Sequence, residues 1–82
     1  MKKMAWSELK VSSVLHAQME RDNKLSDFDN HIHESLAKVI GIKLAENNIG
    51  LTEELKNNIQ FYKHIEKGNV HYLAELLINE SV

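Results

Sequence analysis

The sequence predicts an all-α fold, a single helical domain over residues 1–82 with about four helices and short connections. The main observation is that apolar residues recur at spacings of three and four, which is typical of one face of an α-helix. No strand-like alternation of apolar and polar residues is evident beside this spacing. The chain contains no proline and only three glycines, so few positions force a break in a helix.

The stretch from Ser26 to Asn48 carries the clearest helical pattern. Its start matches a capping box, because a Ser26 hydroxyl and an Asp29 carboxylate three residues later can each accept a free backbone N–H. Its end is indicated by Asn47-Asn48-Ile49-Gly50, since Asn and Gly tolerate the left-handed conformation that closes many helices. We expect this helix to form the centre of the core through Phe28, Ile32, Leu36, Val39 and Ile40.

Three further segments are predicted to be helices. The first runs from about Ala5 to Arg21 and the third from Thr52 to about Lys67, with Thr52 as its N-cap. The fourth covers Val70 to Ile78 after a Lys67-Gly68-Asn69 turn. Its apolar surface is wide for a terminal element, and such a helix is either buried or docked on a partner.

Composition and charge exclude several classes of protein. The net charge is −2, so the chain has no excess of cations with which to neutralise nucleic-acid phosphates, and nucleic acid is an unlikely partner. There is no cysteine, which excludes disulfides and thiolate chemistry. The longest apolar run, Leu36 to Ala45, includes Lys38 and Lys43 and is too short to insert into a membrane. We therefore expect a cytoplasmic protein without direct membrane insertion.

No motif indicates catalysis or a cofactor. The chain lacks a Gly-rich phosphate loop and a nucleophile elbow, so we expect a non-enzymatic protein with no catalytic residues and no cofactor. His31 and His33 are two apart, so they point in different directions on a helix and cannot share a metal ion there. His64 and His71 flank the Gly68 turn and can approach each other across a predicted helical hairpin. Polar surface roles are favoured over a metal site for all these histidines.

Two short stretches resemble known helical motifs. Ala37-Lys38-Val39-Ile40-Gly41 resembles the turn of helix-turn-helix families, which makes a small DNA-binding transcriptional regulator the alternative function. The resemblance departs at Asn47, where that family has a buried apolar residue, and Glu53 would face phosphates. The stretch from Ile65 to Leu77 resembles the helical hairpin of an ankyrin repeat but lacks that family's upstream signature.

The favoured function is that of a protein-binding regulator. A chain of 82 residues hides only about 60–65% of its surface on folding, so a small core often gains from a second chain. We therefore expect a partner protein, a homo-oligomer, or both. Aromatic residues tend to dominate such interfaces. The side chains predicted to bind protein are Trp6, Leu9, Tyr72, Leu76 and Ile78.

In whole-chain character the sequence resembles the cytoplasmic antiholins of the T-even bacteriophages, which are lysis-inhibition factors. The resemblance lies in length, predicted helical content and the lack of a membrane segment. It implies a protein of the host cytoplasm that binds the cytoplasmic N-terminal part of a holin and delays pore formation. No motif carries the resemblance, so it assigns no role to any residue.

Overall fold

The computed structural model describes residues 2–78 and shows a mixed α/β fold, so the all-α prediction is wrong. A three-stranded sheet accounts for both ends of the described chain, and the helices lie between its first and second strands in sequence. The elements in chain order are β1 (Lys2–Ser12), α1 (Ser13–Arg21), α2 (Leu25–Ala45), α3 (Glu53–Lys56), β2 (Ile59–Glu66) and β3 (Asn69–Ile78).

The sheet is antiparallel with the strand order β1-β3-β2. The last strand of the chain is therefore central, and β1 and β2 are the two edges. The register places His71 of β3 between Lys10 of β1 and His64 of β2. The β1–β3 pairing is interrupted by an irregularity between Lys3 and Ala5.

The core lies between α2 and one face of the sheet. Ile32, Leu36 and Ile40 are buried on α2, which confirms most of the predicted helical stripe. Phe28 packs against this core while half-buried, but Val39 is 41% exposed. The sheet contributes its own buried residues from the central strand, which are Val70, Tyr72, Ala74 and Leu76.

The two faces of the sheet differ because successive strand residues point to opposite sides. The helix face carries the buried residues of β3, and Ser7 of β1 donates a hydrogen bond from Oγ to the backbone oxygen of Leu36 at 2.9 Å. No helix covers the opposite face along the described strands. We call it the open face, and the register assigns to it Trp6, Glu8, Lys10, Gln60, Tyr62, His64, Glu66, His71, Leu73 and Glu75.

Three of the four predicted helices are wholly or partly strands. The predicted helix from Ala5 to Arg21 begins only at Ser13, and the predicted third helix is helical over Glu53–Lys56 alone. The predicted fourth helix is the central strand β3. Either a helix or a strand could bury the apolar residues of Asn69–Ile78. The pairing of β3 with β1 and β2 selects the strand.

The helix-end signals have mixed outcomes. Thr52 is confirmed as an N-cap, since its Oγ1 accepts from the Leu55 N–H at 3.2 Å, and Asn48 takes a positive φ of 62° beyond the end of α2. The capping box at Ser26 is wrong, because α2 begins at Leu25 with Lys24 as its N-cap and no side-chain cap bond. Asp29 is thereby free to bind elsewhere.

Two features of α2 bear on the sequence resemblances. The stretch from Ala37 to Gly41 lies inside this continuous helix, so it does not form the turn of a helix-turn-helix motif. A Cβ built at Gly41 would lie 3.4 Å from the Leu51 side chain. This is an ordinary van der Waals distance, so the packing of Leu51 does not require a glycine, and Gly41 does not end the helix.

Among residues 2–78, none of the helices combines the length and the apolar character needed to cross a membrane.

Candidate functional site

The structure separates the five side chains predicted to bind protein. Tyr72 and Leu76 are fully buried in the core, so neither side chain is accessible to a partner. Leu9 and Ile78 are half-buried, and Leu9 packs against the core. Trp6 is 44% exposed. These residues do not form one surface, because Tyr72 and Leu76 are buried beneath the helices and the register pairs Trp6 with Glu75 on the open face.

Trp6 is covered in part by the chain's own cations. The Nζ atoms of Lys43 and Lys3 lie 4.9 and 5.9 Å from the centre of the indole ring. Lys43 Nζ also donates to the backbone oxygen of Trp6. Since a lysine already occupies the electron-rich ring face, Trp6 stabilises the contact between β1 and α2 and is a weaker candidate for a partner anchor.

The strongest candidate for a protein-binding surface is the outer side of β2, which sequence reasoning did not identify. We call this surface, formed by Ile59–Glu66, the β2 edge. Among the strands of residues 2–78, β2 pairs only with β3, and all its residues after Ile59 are exposed. Three of them are large and apolar, with exposed fractions of 37% for Phe61, 44% for Tyr62 and 69% for Ile65. Apolar side chains on both faces of an unpaired strand favour pairing with another polypeptide.

The other edge of the sheet is better protected. β1 carries a register shift between Lys3 and Ala5, and Lys3, Lys10 and Glu8 place charges along it. Bulges and lysines are common features of edges that do not pair with other chains. β2 keeps a continuous register with β3 from Ile59 to Glu66, and its one lysine is held by other residues. The two edges therefore differ in their capacity to take a further strand.

A groove adjoins the β2 edge on the helix face. Its volume is about 380 Å³, and α2, α3 and β2 form its walls. The His33 ring of α2 stacks on Phe61 at a centroid distance of 4.2 Å and an angle of 19°. The lining contains charged, polar and apolar side chains, and consists of Asn30, His33, Glu34, Ala37, Glu53, Lys56, Asn57, Ile59 and Phe61.

A polar network ties four elements together beneath the sheet. Tyr72 of β3 donates from its hydroxyl to Asp29 Oδ1 on α2 at 2.6 Å, and Lys63 of β2 donates to Asp29 Oδ2 at 3.0 Å. Lys63 Nζ also lies 3.1 Å from Nε2 of the buried His16 on α1. The imidazole nitrogen accepts this bond, because an ammonium group can only donate.

The network shifts the pKa values of two of its members. Burial by itself raises the pKa of Asp29, but hydrogen bonds from Tyr72 and Lys63 together with the charge of Lys63 outweigh it and hold that pKa below its usual 3.8. Burial raises the pKa of Tyr72 above its usual 10.0, and the hydrogen bond to the Asp29 carboxylate and its charge raise it further. Both pKa shifts favour the ionised Asp29 carboxylate and the neutral Tyr72 phenol, which are the two forms that make the hydrogen bond.

The network is best explained as a structural connection. Asp29 and Lys63 bind each other and two further groups, so their charges are already compensated. Of the buried side-chain nitrogen and oxygen atoms in the described part of the chain, all have a hydrogen-bond partner. The sequence analysis assigned Asp29 to a capping box. The better signal was the polar hydroxyl of Tyr72 within an apolar segment, since a buried tyrosine usually requires an acceptor.

A third cluster lies on the open face at the β2–β3 hairpin. The predicted approach of His64 to His71 across Gly68 is confirmed, although the hairpin is made of strands. Their rings stack with centroids 4.8 Å apart and 5° between the planes. Glu66 lies beside them, with its Oε2 3.6 Å from His64 Nε2. These three are the residues of the described chain whose ligand atoms converge closely enough to hold a metal ion.

Comparison of the chain with protein-family models, with curated proteins and with solved structures finds no match.

Proposed function

We propose that the protein is a non-enzymatic regulator that binds an extended segment of another protein along the β2 edge. The observation that carries this proposal is the exposure of β2 on both faces, combined with a single pairing partner in the sheet. The unpaired N–H and C=O groups of an edge strand are best satisfied by another backbone. Strand addition of this kind takes its affinity from main-chain hydrogen bonds and its specificity from alternate side chains.

The side chains of β2 define the chemistry of the segment. Phe61 and Ile65 lie on the helix face, opposite the buried Ala74 and Val70, and Tyr62 lies on the open face. A segment with apolar residues at alternate positions would cover Phe61 and Ile65. The groove beside Phe61 provides space for one of its larger side chains. Burial of these apolar surfaces would contribute about 25 cal/mol for each Å² removed from water.

The resemblance to the cytoplasmic antiholins no longer includes an all-α fold and rests on chain length and the lack of a membrane segment. It supplies a partner of this class. We infer that the segment is the cytoplasmic N-terminal part of a holin, and that binding takes place in the host cytoplasm. A protein that binds only the unassembled holin stabilises that state by its difference in affinity for the two states, and so delays pore formation.

The test is calorimetric titration of the chain with a synthetic peptide covering that holin segment, with a scrambled peptide as a control. We expect Ile65→Lys to weaken binding about ten-fold or more, a loss of at least about 1.4 kcal/mol, because it places a charge in the apolar part of the β2 edge. Ile42→Lys is the matched control, since Ile42 is 61% exposed and Ile65 69%. Ile42 lies on α2 next to Lys43, which contacts Trp6 of the other edge strand, β1, and its substitution should leave binding unchanged.

Three results would contradict the proposal. The first is that the holin peptide binds no better than the scrambled peptide. The second is that Ile42→Lys weakens binding as much as Ile65→Lys. The third is a dimer in light scattering that Ile65→Lys converts to a monomer, because a second copy of the chain would then occupy the β2 edge.

A further inference from the structure

The ligand cluster at the hairpin lies on the open face, away from the core and from the polar network. His64 Nε2 or Nδ1, a His71 ring nitrogen and a Glu66 carboxylate oxygen all lie within 4.8 Å of one another. No bound ion is needed to explain the fold at this point, since the hairpin is held by its own register. His64 and Glu66 belong to β2, but their side chains project from the open face and not into the space for an added strand, so the metal proposal does not depend on the β2 edge proposal.

The backbone brings these three side chains together in a fixed arrangement. His64 and His71 are directly opposite in the antiparallel register, where Cβ atoms are about 4.5–5.5 Å apart. Glu66 is two residues beyond His64 and therefore points to the same side of the strand. The turn between the strands is tight, with φ values of 46° at Lys67 and 80° at Gly68. Positive φ at both central residues is typical of the type I′ hairpin turn.

We propose that His64, Glu66 and His71 bind one divalent transition-metal ion, of which Zn²⁺ is the representative. Two imidazoles and one carboxylate form a ligand set that zinc uses when it keeps a fourth position open for water or another ligand. A cleft of about 350 Å³ beside His71, lined by Glu8, Leu9 and Lys10, leaves room for that fourth ligand. The inference departs from the sequence analysis, which favoured polar surface roles for these histidines.

Binding requires a small convergence of side chains. Tetrahedral zinc with bonds of about 2.0–2.1 Å to nitrogen places its donors about 3.4 Å apart. The pair His64 Nε2 and Glu66 Oε2 is already at 3.6 Å, so the main movement is rotation of the two rings out of their parallel stack. His64 and Glu66 have 60% and 57% of their side-chain surface exposed. Both can rotate without disturbing the core.

The test is titration of the whole chain with ZnCl₂ by isothermal calorimetry, with NMR observation of the imidazole resonances of His64 and His71. We expect one ion per chain and coincident shifts of both imidazoles. Loss of a group that merely orients a metal ligand costs about 10–100-fold in affinity, so His64→Asn and His71→Asn should each weaken binding at least about ten-fold. His31→Asn is the control, because His31 is exposed on α2 and outside the cluster.

Three outcomes would overturn the assignment. They are the absence of a heat of binding, an equal loss of affinity in His31→Asn, and zinc binding that survives in the His64→Asn and His71→Asn chains. Far-UV circular dichroism of each variant shows whether the hairpin variants keep their fold. Glu66→Gln provides a second route, because it retains both histidines and the shape of the side chain, and it should weaken zinc binding without altering the circular dichroism.

Discussion

The hydrogen bond from Tyr72 to Asp29 couples the protonation of two side chains to the packing of α2 on β3. It is short, at 2.6 Å, and its acceptor is an ionised carboxylate that Lys63 also binds. Hydrogen bonds to charged groups contribute about 1.5–3 kcal/mol when they are sheltered from water. The 24% exposure of the Asp29 side chain reduces this contribution, so we expect Tyr72→Phe to lower the free energy of unfolding by about 1–2 kcal/mol.

The two pKa shifts predict how stability depends on pH. The pKa of Asp29 is lowered on folding, so its contribution is present above its usual 3.8 and is lost as the pH falls through the folded value. The pKa of Tyr72 is raised on folding, so its contribution is complete below 10.0 and is lost as the pH rises above that value. Urea unfolding across the pH range should show a decrease in stability on both sides.

Two tyrosine variants test whether the decrease in stability at alkaline pH comes from Tyr72. In Tyr72→Phe the folded and unfolded states lose the same titrating phenol, so the decrease above pH 10.0 should become smaller. Tyr62→Phe is the control, since the Tyr62 hydroxyl is exposed and donates only to Gln60 Oε1 at 2.9 Å. An alkaline decrease that is unchanged in Tyr72→Phe would show that the Tyr72 to Asp29 bond does not couple folding to pH.

At the scale of elements, the β2–β3 hairpin contains a strained position. Lys67 has a φ of 46° without being glycine, and the left-handed conformation costs an ordinary residue about 1–2 kcal/mol. Asparagine tolerates this conformation and is common at the first central position of a type I′ turn. The sequence Lys67-Gly68 therefore makes a hairpin turn with a good second residue and a poor first one.

We expect Lys67→Asn to raise the free energy of unfolding by about 0.5–1 kcal/mol, since it relieves part of this strain. Gly68→Ala should lower it by about 1 kcal/mol or more, because a Cβ there is strained at a φ of 80°. Thermal melts of the two variants measure both effects. Opposite signs support the turn geometry, whereas a destabilising Lys67→Asn would argue against a left-handed Lys67.

At the scale of the whole molecule, the strand order makes the protection of backbone amides from hydrogen exchange uneven. Within the described part of the chain, β3 is paired on both sides, while β2 has a neighbouring strand on one side only. Local opening costs the least free energy where the chain has few buried contacts and where its hydrogen bonds are exposed to water. Seven of the eight β2 residues are exposed, and alternate residues of β3 are buried.

We therefore expect hydrogen exchange to be slowest in β3 and in the buried turns of α2, and faster in β2. Exchange measured by NMR on the isolated chain provides this test. A β2 strand as well protected as β3 in the isolated chain would mean that its outer side is already paired with another copy. When the holin peptide is added, protection should increase in β2 first, because the added strand binds its free N–H groups.

The amphipathic helix α2 could be recognised because its pattern is local and unambiguous. Ile32, Leu36 and Ile40 follow the period of a helix, and Thr52 caps the short helix α3 as predicted. Part of the candidate metal cluster could also be predicted from the sequence, since any tight hairpin at Gly68 brings His64 toward His71. Glu66 could join them only in a strand, where residues two apart share a face.

The β2 edge and the polar network were beyond prediction from local patterns. The exposed fraction of β2 depends on which strand lies beside it, and the sequence holds no signal that β3 pairs on both its sides. Asp29 lies 43 residues from its partner Tyr72 in the sequence. Local patterns therefore explained Asp29 only as part of a helix cap. Long-range contacts of this kind are set by the assembled fold.

The sequence by itself determined α2, the helix-end signals at Thr52 and Asn48, the lack of cysteine chemistry and the turn at Gly68. Only the tertiary structure decided the conformation of the final segment. Apolar residues from Val70 to Leu77 satisfy both a helical spacing and the alternation that buries Val70, Tyr72, Ala74 and Leu76. The strand conformation is selected by pairing with β2 and with β1, and the residues of β1 are distant from β3 in sequence. Since hydrogen bonds within a sheet join distant residues, no local window contains the information that selects the strand.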